Sequence, residues 1–134
     1  PESDLFKEEP SEKVRAGINA AVEAARDVDV IIAVLGETDE LCRESAGRVS
    51  LDLPGYQEHL LRALHATGKP VVLVLSNGRP LSVNWAVKHV PAIVELWLPA
   101  EEGGAALADI LFGDVNPSGH LPVTFPKGVG QIQM

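Results

Sequence analysis

The apolar positions change period along the chain, and the changes mark out its elements. Val14, Ile18, Ala21, Val22 and Ala25 recur at intervals of three and four, which places them on one face of a helix. Ser11, after Pro10, sits where an N-cap belongs, since its hydroxyl can accept from an unpaired N–H of the first turn. Residues 30–35 are then apolar without a break, rich in β-branched side chains, and ended by Gly36. So short and continuous a run predicts a strand covered on both faces. A long irregular stretch, 36–53, follows. Pro54 suits the first position of a helix, whose apolar face is Leu60, Leu61 and Leu64 and whose end is Gly68. Residues 71–75 predict a second buried strand, and Ser76-Asn77-Gly78-Arg79-Pro80 a turn. A short helix is expected at 82–88 and a third strand at 92–98. Gly103 and Gly104 open a last helix carrying Ala106, Leu107, Ile110 and Leu111, and Gly113 closes it. The turn Asn116-Pro117-Ser118-Gly119 leads into a final short strand, 121–125.

Strands alternating with helices predict an α/β fold, with a mainly parallel sheet flanked by helices and right-handed crossovers. At 134 residues and 14.3 kDa the chain is one domain, 1–134. Three or four strands leave sheet edges that need a neighbour or a cover, so the chain is expected to form part of a larger sheet. With 46% apolar and 22% charged residues the composition is that of a globular domain. No apolar run approaches the roughly 18 residues of a membrane span. The net charge of −8 and the lack of a basic stripe argue against nucleic acid and against anionic membrane surfaces as partners. Cys42 stands alone, so no internal disulfide forms and the compartment stays open. Residues 1–10 are polar and acidic and do not read as a signal peptide. The chain begins with Pro1, which leaves room for a larger precursor, and localisation is not legible.

Ligands of open α/β sheets bind outside the carboxyl ends of the strands. Three segments lie there: 36–53, 76–80 and 99–104. The first is far longer than an ordinary strand-to-helix connection. It carries Glu37, Asp39, Glu40, Arg43, Glu44, Arg48 and Asp52. Two readings compete: a solvated acidic loop, or a carboxylic acid held for proton transfer. Other chemistry is weaker. Gly68-Lys69 lacks the rest of a phosphate loop. His59, His65, His89 and His120 show no metal-ligand spacing, so neither cofactor nor metal is expected. Ser45, Ser50 and Ser76 sit in no nucleophile elbow. Cys42 as a reactive thiol is a minority reading. Trp85 and Trp97 could stack on a sugar face, but core packing is the commoner use of an indole.

Four stretches together carry a resemblance over about residues 29–132. They are Val34-Leu35-Gly36-Glu37; Leu53-Pro54-Gly55-Tyr56-Gln57; Asn77-Gly78-Arg79-Pro80; and the long string Phe112-Gly113-Asp114-Val115-Asn116-Pro117-Ser118-Gly119-His120-Leu121-Pro122-Val123-Thr124-Phe125-Pro126. They resemble the C-terminal α/β-sandwich domain of family 3 glycoside hydrolases, the β-glucosidase and β-xylosidase group. The family's general acid/base is a glutamate in the long loop, four residues before an arginine. Glu44 and Arg48 match that spacing, so the resemblance implies Glu44 as acid/base and Arg48 as a substrate-binding or supporting residue. Gly47 stands where many members have Asp, as in a bacterial subgroup with small residues there. Ala100 replaces a common Gly, His120 a common Arg or Lys, and Gln133 a common Pro.

Retaining glycosidases use two carboxylates about 5–5.5 Å apart, one of them a nucleophile. In this family the nucleophilic Asp lies on an N-terminal TIM-barrel domain, and no segment here resembles it. The resemblance thus implies a fragment that supplies half of an active site for β-glucosides or β-xylosides, the barrel being its partner. Two other readings stay in play: a non-catalytic carbohydrate-binding or scaffold α/β module, and a doubly wound nucleotide-binding protein, which the absent phosphate loop disfavours.

Overall fold

A computed structural model describes residues 9–131. Helix α1 (Glu12–Ala24) begins at Ser11, whose hydroxyl accepts from the Val14 N–H. Ala21 and Val22 of its apolar stripe reach the core, and Ala25, the C-cap, is buried. Strand β1 (Ile31–Gly36), helix α3 (Gln57–His65), strand β2 (Val71–Ser76), helix α4 (Asn84–His89), strand β3 (Ala92–Glu95) and helix α5 (Gly103–Phe112) follow, with a one-turn helix α2 (Asp39–Cys42) inside the long loop. The three strands form one parallel sheet in the order β1-β2-β3. Ile31 stands opposite Val71, and Val72 opposite Ala92. This is the α/β architecture the periodicity predicts.

The main core lies on one face of the sheet. Ile31, Ala33, Val71, Leu73 and Leu75 meet Leu61 and Leu64 of α3, together with Leu81, Ala86 and Val90. Strand β2 is buried on both sides: Leu73 and Val74, which point to opposite faces, are both fully inaccessible. Strand β1 corrects the expectation of a doubly covered strand. Ile31 and Ala33 face the core, whereas Ile32 and Val34 are 47% and 56% exposed. As the edge strand it has only β2 beside it, and its second face is left open. Among the described residues no helix is long and apolar enough to cross a membrane.

Four boundaries differ from the sequence expectation, each for a local reason. The helix expected from Pro54 begins at Gln57, because Gly55 takes a left-handed conformation (φ 57°) and forces a turn ahead of it. The helix expected from residue 82 begins at Asn84, because the Ser82 N–H is already bonded to the Leu51 carbonyl (2.8 Å) and its hydroxyl to that of Pro126 (3.0 Å). Strand β3 ends at Glu95 rather than 98, because Trp97 adopts φ 56°, outside any extended conformation. Residues 121–125 form no strand. Pro122 has no N–H to offer a ladder, and this segment is separated from the β3 edge by a cavity of about 910 Å³ lined by Ile93, Leu96, Val115 and Leu121.

Candidate active site

The carboxyl ends of β1 and β2 are joined by backbone contacts that tolerate no side chain. A Cβ on Gly36 would lie 1.9 Å from the Ser76 carbonyl oxygen, and φ there is 145°. The chain then turns outward, with the Glu37 N–H bonded to that same carbonyl at 2.8 Å. On its free side Gly36 is held by Gln57, whose side-chain Oε1 accepts from the Gly36 N–H (2.7 Å) and whose Nε2 donates to its carbonyl (2.8 Å). A single amide side chain thereby supplies the donor and the acceptor that a neighbouring strand would offer an edge.

Glu37 is consumed by the structure of the loop. Its side chain is inaccessible and its Oε1 lies 2.7 Å from Arg48 Nη1 and 3.2 Å from Arg79 Nε. Oε2 accepts from the Gly78 N–H at 3.3 Å. Arg48, 6% exposed, continues to the Asp52 carbonyl at 2.7 Å. Arg79 spans the loop, its Nη2 donating to the carbonyls of Leu41 (2.6 Å) and Ala46 (3.3 Å). These bonds are charge-assisted, the strong kind, and the ion pairs among them converge on the inaccessible Glu37 carboxylate. The positive charges sit on residues 11 and 42 positions beyond the carboxylate.

Above this frame stands Glu44. The Ala46 N–H donates to the Arg43 carbonyl at 3.1 Å, closing a four-residue turn with Glu44 and Ser45 at its corners. Ser45 sits at φ 64° in the third position, where this turn type needs a left-handed residue. A non-glycine there costs about 1–2 kcal/mol, and such strain clusters at functional sites. Glu44 is exposed, and among the described residues its carboxylate has no ion pair or hydrogen bond. Glu44 and Arg48, linked by spacing in the sequence, diverge: Arg48 turns inward to Glu37 and Glu44 outward. The Arg48 guanidinium is held between Glu37 and the Asp52 carbonyl.

The other loop carboxylates are ordinary. Asp39 and Glu40 are exposed, at the start of α2, and Asp52 accepts from the Ser50 hydroxyl at 2.8 Å. Cys42 donates its thiol to the Thr38 carbonyl and packs where a Cβ on Gly78 would lie 2.9 Å away. Trp85 stacks on His89 with ring centroids 4.6 Å apart and carries the Arg62 guanidinium over its ring. No group of three or more His, Cys, Asp or Glu able to hold a metal occurs among the described residues.

The end of β3 adds a group that the sequence reading passed over. Glu95 accepts through Oε1 from the Trp97 N–H (2.9 Å) and from Asn77 Nδ2 (3.3 Å). Burial raises its pKa above the usual carboxylate value, and those two hydrogen bonds offset part of the rise. The unfolded chain therefore loses this proton at lower pH than the folded one, and stability declines as pH rises through the interval between the two values. Glu95→Gln keeps the Oε1 acceptor and removes the titration. Thermal melts of the two proteins should agree below the ordinary carboxylate pKa, with the variant gaining as pH rises above it. A constant difference at all pH values would rule the linkage out.

An open parallel sheet with an exposed carboxylate on a turn beyond its strand ends is an α/β domain whose candidate site lies at the carboxyl ends of its strands. Residues 4–134 match the Glycosyl hydrolase family 3 C-terminal domain, and the chain belongs to that family. It is 50% identical over 118 residues to a periplasmic β-glucosidase of Salmonella typhimurium, covering 88% of this chain and 15% of that protein. It is 44% identical over 118 residues to a β-xylosidase of Formosa agariphila, covering 88% and 16%. Among solved structures, a β-glucosidase of Erythrobacter marinus superposes with a TM-score of 0.85 at 47% identity over 90% of this chain and 17% of that one. A β-glucosidase of Listeria innocua, solved with isofagomine, gives 0.83 at 40% identity over 92% and 17%. The chain thus spans about one-sixth of the length of these relatives.

Proposed function

We propose that this domain supplies the general acid/base, Glu44, to a retaining hydrolase of β-linked glucosides or xylosides, working as part of a larger polypeptide. The observation that carries the reading is the division of labour in the loop. Glu37, Arg48 and Arg79 are locked into a buried frame, and Glu44 is presented outward on the turn that frame holds. The names of the relatives, β-glucosidases and a β-xylosidase, support the substrate class.

In this mechanism the Glu44 carboxylic acid gives its proton to the glycosidic oxygen while an Asp on an N-terminal barrel attacks the anomeric carbon. The resulting carboxylate then takes a proton from the water that releases the sugar. No metal or redox step is needed. Because the nucleophile and the sugar subsite lie outside residues 1–134 in this reading, the purified chain should hydrolyse aryl β-glucosides no faster than buffer. Turnover by the chain alone, abolished by Glu44→Ala, would place the whole site within these residues.

Azide tests the assignment itself. In the full-length protein carrying Glu44→Ala, the glycosyl-enzyme waits for a water that has lost its base. Azide needs no base, so it should accelerate turnover and yield a β-glycosyl azide. Absence of both effects rejects Glu44 as the acid/base.

A further inference from the structure

We infer that Arg79 is a positioning residue for the proton-transfer step, a clamp that holds both feet of the turn carrying Glu44. The inference rests on the acid/base reading of Glu44 and extends it to a residue on another segment. The guanidinium reaches the Leu41 carbonyl on one side of Glu44 and the Ala46 carbonyl on the other, 2.6 and 3.3 Å away. Ala46 is also the residue that closes the turn on Arg43. Residues 42–45 are therefore strung between two points fixed by one planar group. The clamp is anchored in turn. Arg79 Nε is paired with the inaccessible Glu37 (3.2 Å), and its own carbonyl accepts from Asn77 Nδ2 (2.9 Å). Asn77 is fully buried and is tied to the end of β3 through the Trp97 carbonyl (3.1 Å). Pro80 restricts Arg79 further by disfavouring helical backbone at the residue before it.

The geometry needs a fork rather than a charge. Nη2 serves both carbonyls and Nε serves Glu37, two nitrogens held a fixed distance apart in one plane, whereas a lysine brings a single nitrogen to the site. With the clamp lost, Glu44 keeps its identity and its exposure, but its carboxyl no longer has a fixed height above the sheet. A displacement of about 1 Å at a reacting group can cost on the order of 10²-fold in rate.

The test is Arg79→Lys in the full-length protein, with and without Glu44→Ala. Alone, Arg79→Lys should lower kcat by about 10–100-fold on glycosides with poor leaving groups, while KM changes little. On activated aryl glycosides, which need less proton donation, it should cost less. In the Glu44→Ala background the same change should add almost nothing, because the group to be positioned is gone. Amide hydrogen exchange should rise across residues 42–46 and stay unchanged in β1 and β2. Equal losses in both backgrounds, or an unchanged leaving-group dependence, would overturn the proposal. Should Arg79→Lys fail to fold, Arg79→Gln goes through the same measurements; if neither folds, Arg79 belongs to the fold alone and the proposal falls. Failure of the acid/base reading is recognised separately, since Glu44→Ala by itself would then show neither azide rescue nor leaving-group dependence.

Discussion

In the full-length protein, Glu44→Ala is expected to lower kcat/KM for glycosides with poor leaving groups by about 10²–10⁴-fold, the usual cost of removing a general acid. The loss should depend on the substrate in a way that a folding defect does not. An alkoxide leaving group departs slowly unless protonated in the transition state. An activated phenolate departs nearly unaided, so its glycosylation step should be only slightly slowed and its overall rate set by deglycosylation. A plot of log kcat/KM against leaving-group pKa should therefore steepen in the variant. Asp39→Ala and Glu40→Ala are the controls, because both side chains are exposed in the same loop and belong to no buried ion pair. A flat plot for Glu44→Ala, or a steep one for either control, would assign the proton to another residue.

Replacing Glu37 should give the second large effect, on stability. Glu37→Gln preserves shape and an acceptor oxygen and removes the negative charge between two guanidinium groups. Arg48, 6% exposed, then remains as a buried cation without a counter-charge. Breaking one side of a buried pair costs about 3–5 kcal/mol, a large fraction of a domain's total stability. The loop that Glu37 organises should loosen with it. Urea unfolding of the domain should show the loss, and the full-length variant should be impaired without rescue by azide. A change under about 1 kcal/mol, the level of an exposed pair, would mean that the pair is solvated in solution. Glu37 lies only seven residues before Glu44 and carries the same carboxyl group, so the two variants separate framework from chemistry within one loop.

Much of the scaffold was legible in advance because local pattern and fold agreed. The Ser11 cap, the stripe of α1, the β2 run, and Gly113 ending α5 in a left-handed conformation (φ 83°) are all local in origin. The misreadings fall where a distant partner overrides a local preference. Pro54 favours a helix start, but the left-handed Gly55 and the use of Gln57 on the β1 edge delay it. Residues 92–98 are strand-like in composition, but the Trp97 carbonyl is taken by Ser76 Oγ and the Asn77 N–H, and β3 stops early. The 121–125 segment has strand-forming residues, but Pro122 lacks an N–H and a cavity lies between the segment and the β3 edge.

Periodicity and turn residues in the sequence were enough for an α/β domain, contiguous motifs carried the resemblance to family 3, and that resemblance alone singled out Glu44 in the long loop as the candidate acid/base. Periodicity, turn residues and contiguous motifs need no knowledge of distant contacts. Which charges in that loop are paired follows from long-range contacts. In the sequence Glu37 and Glu44 are equivalent carboxylates among arginines. Folding brings the end of β2 beside the end of β1 and sets Arg79 next to a residue 42 positions earlier. Desolvation then makes Glu37 with Arg48 and Arg79 a framework, and the exposed turn leaves Glu44 to face outward. Burial and long-range pairing are properties of chain segments meeting in space, and no local pattern records them.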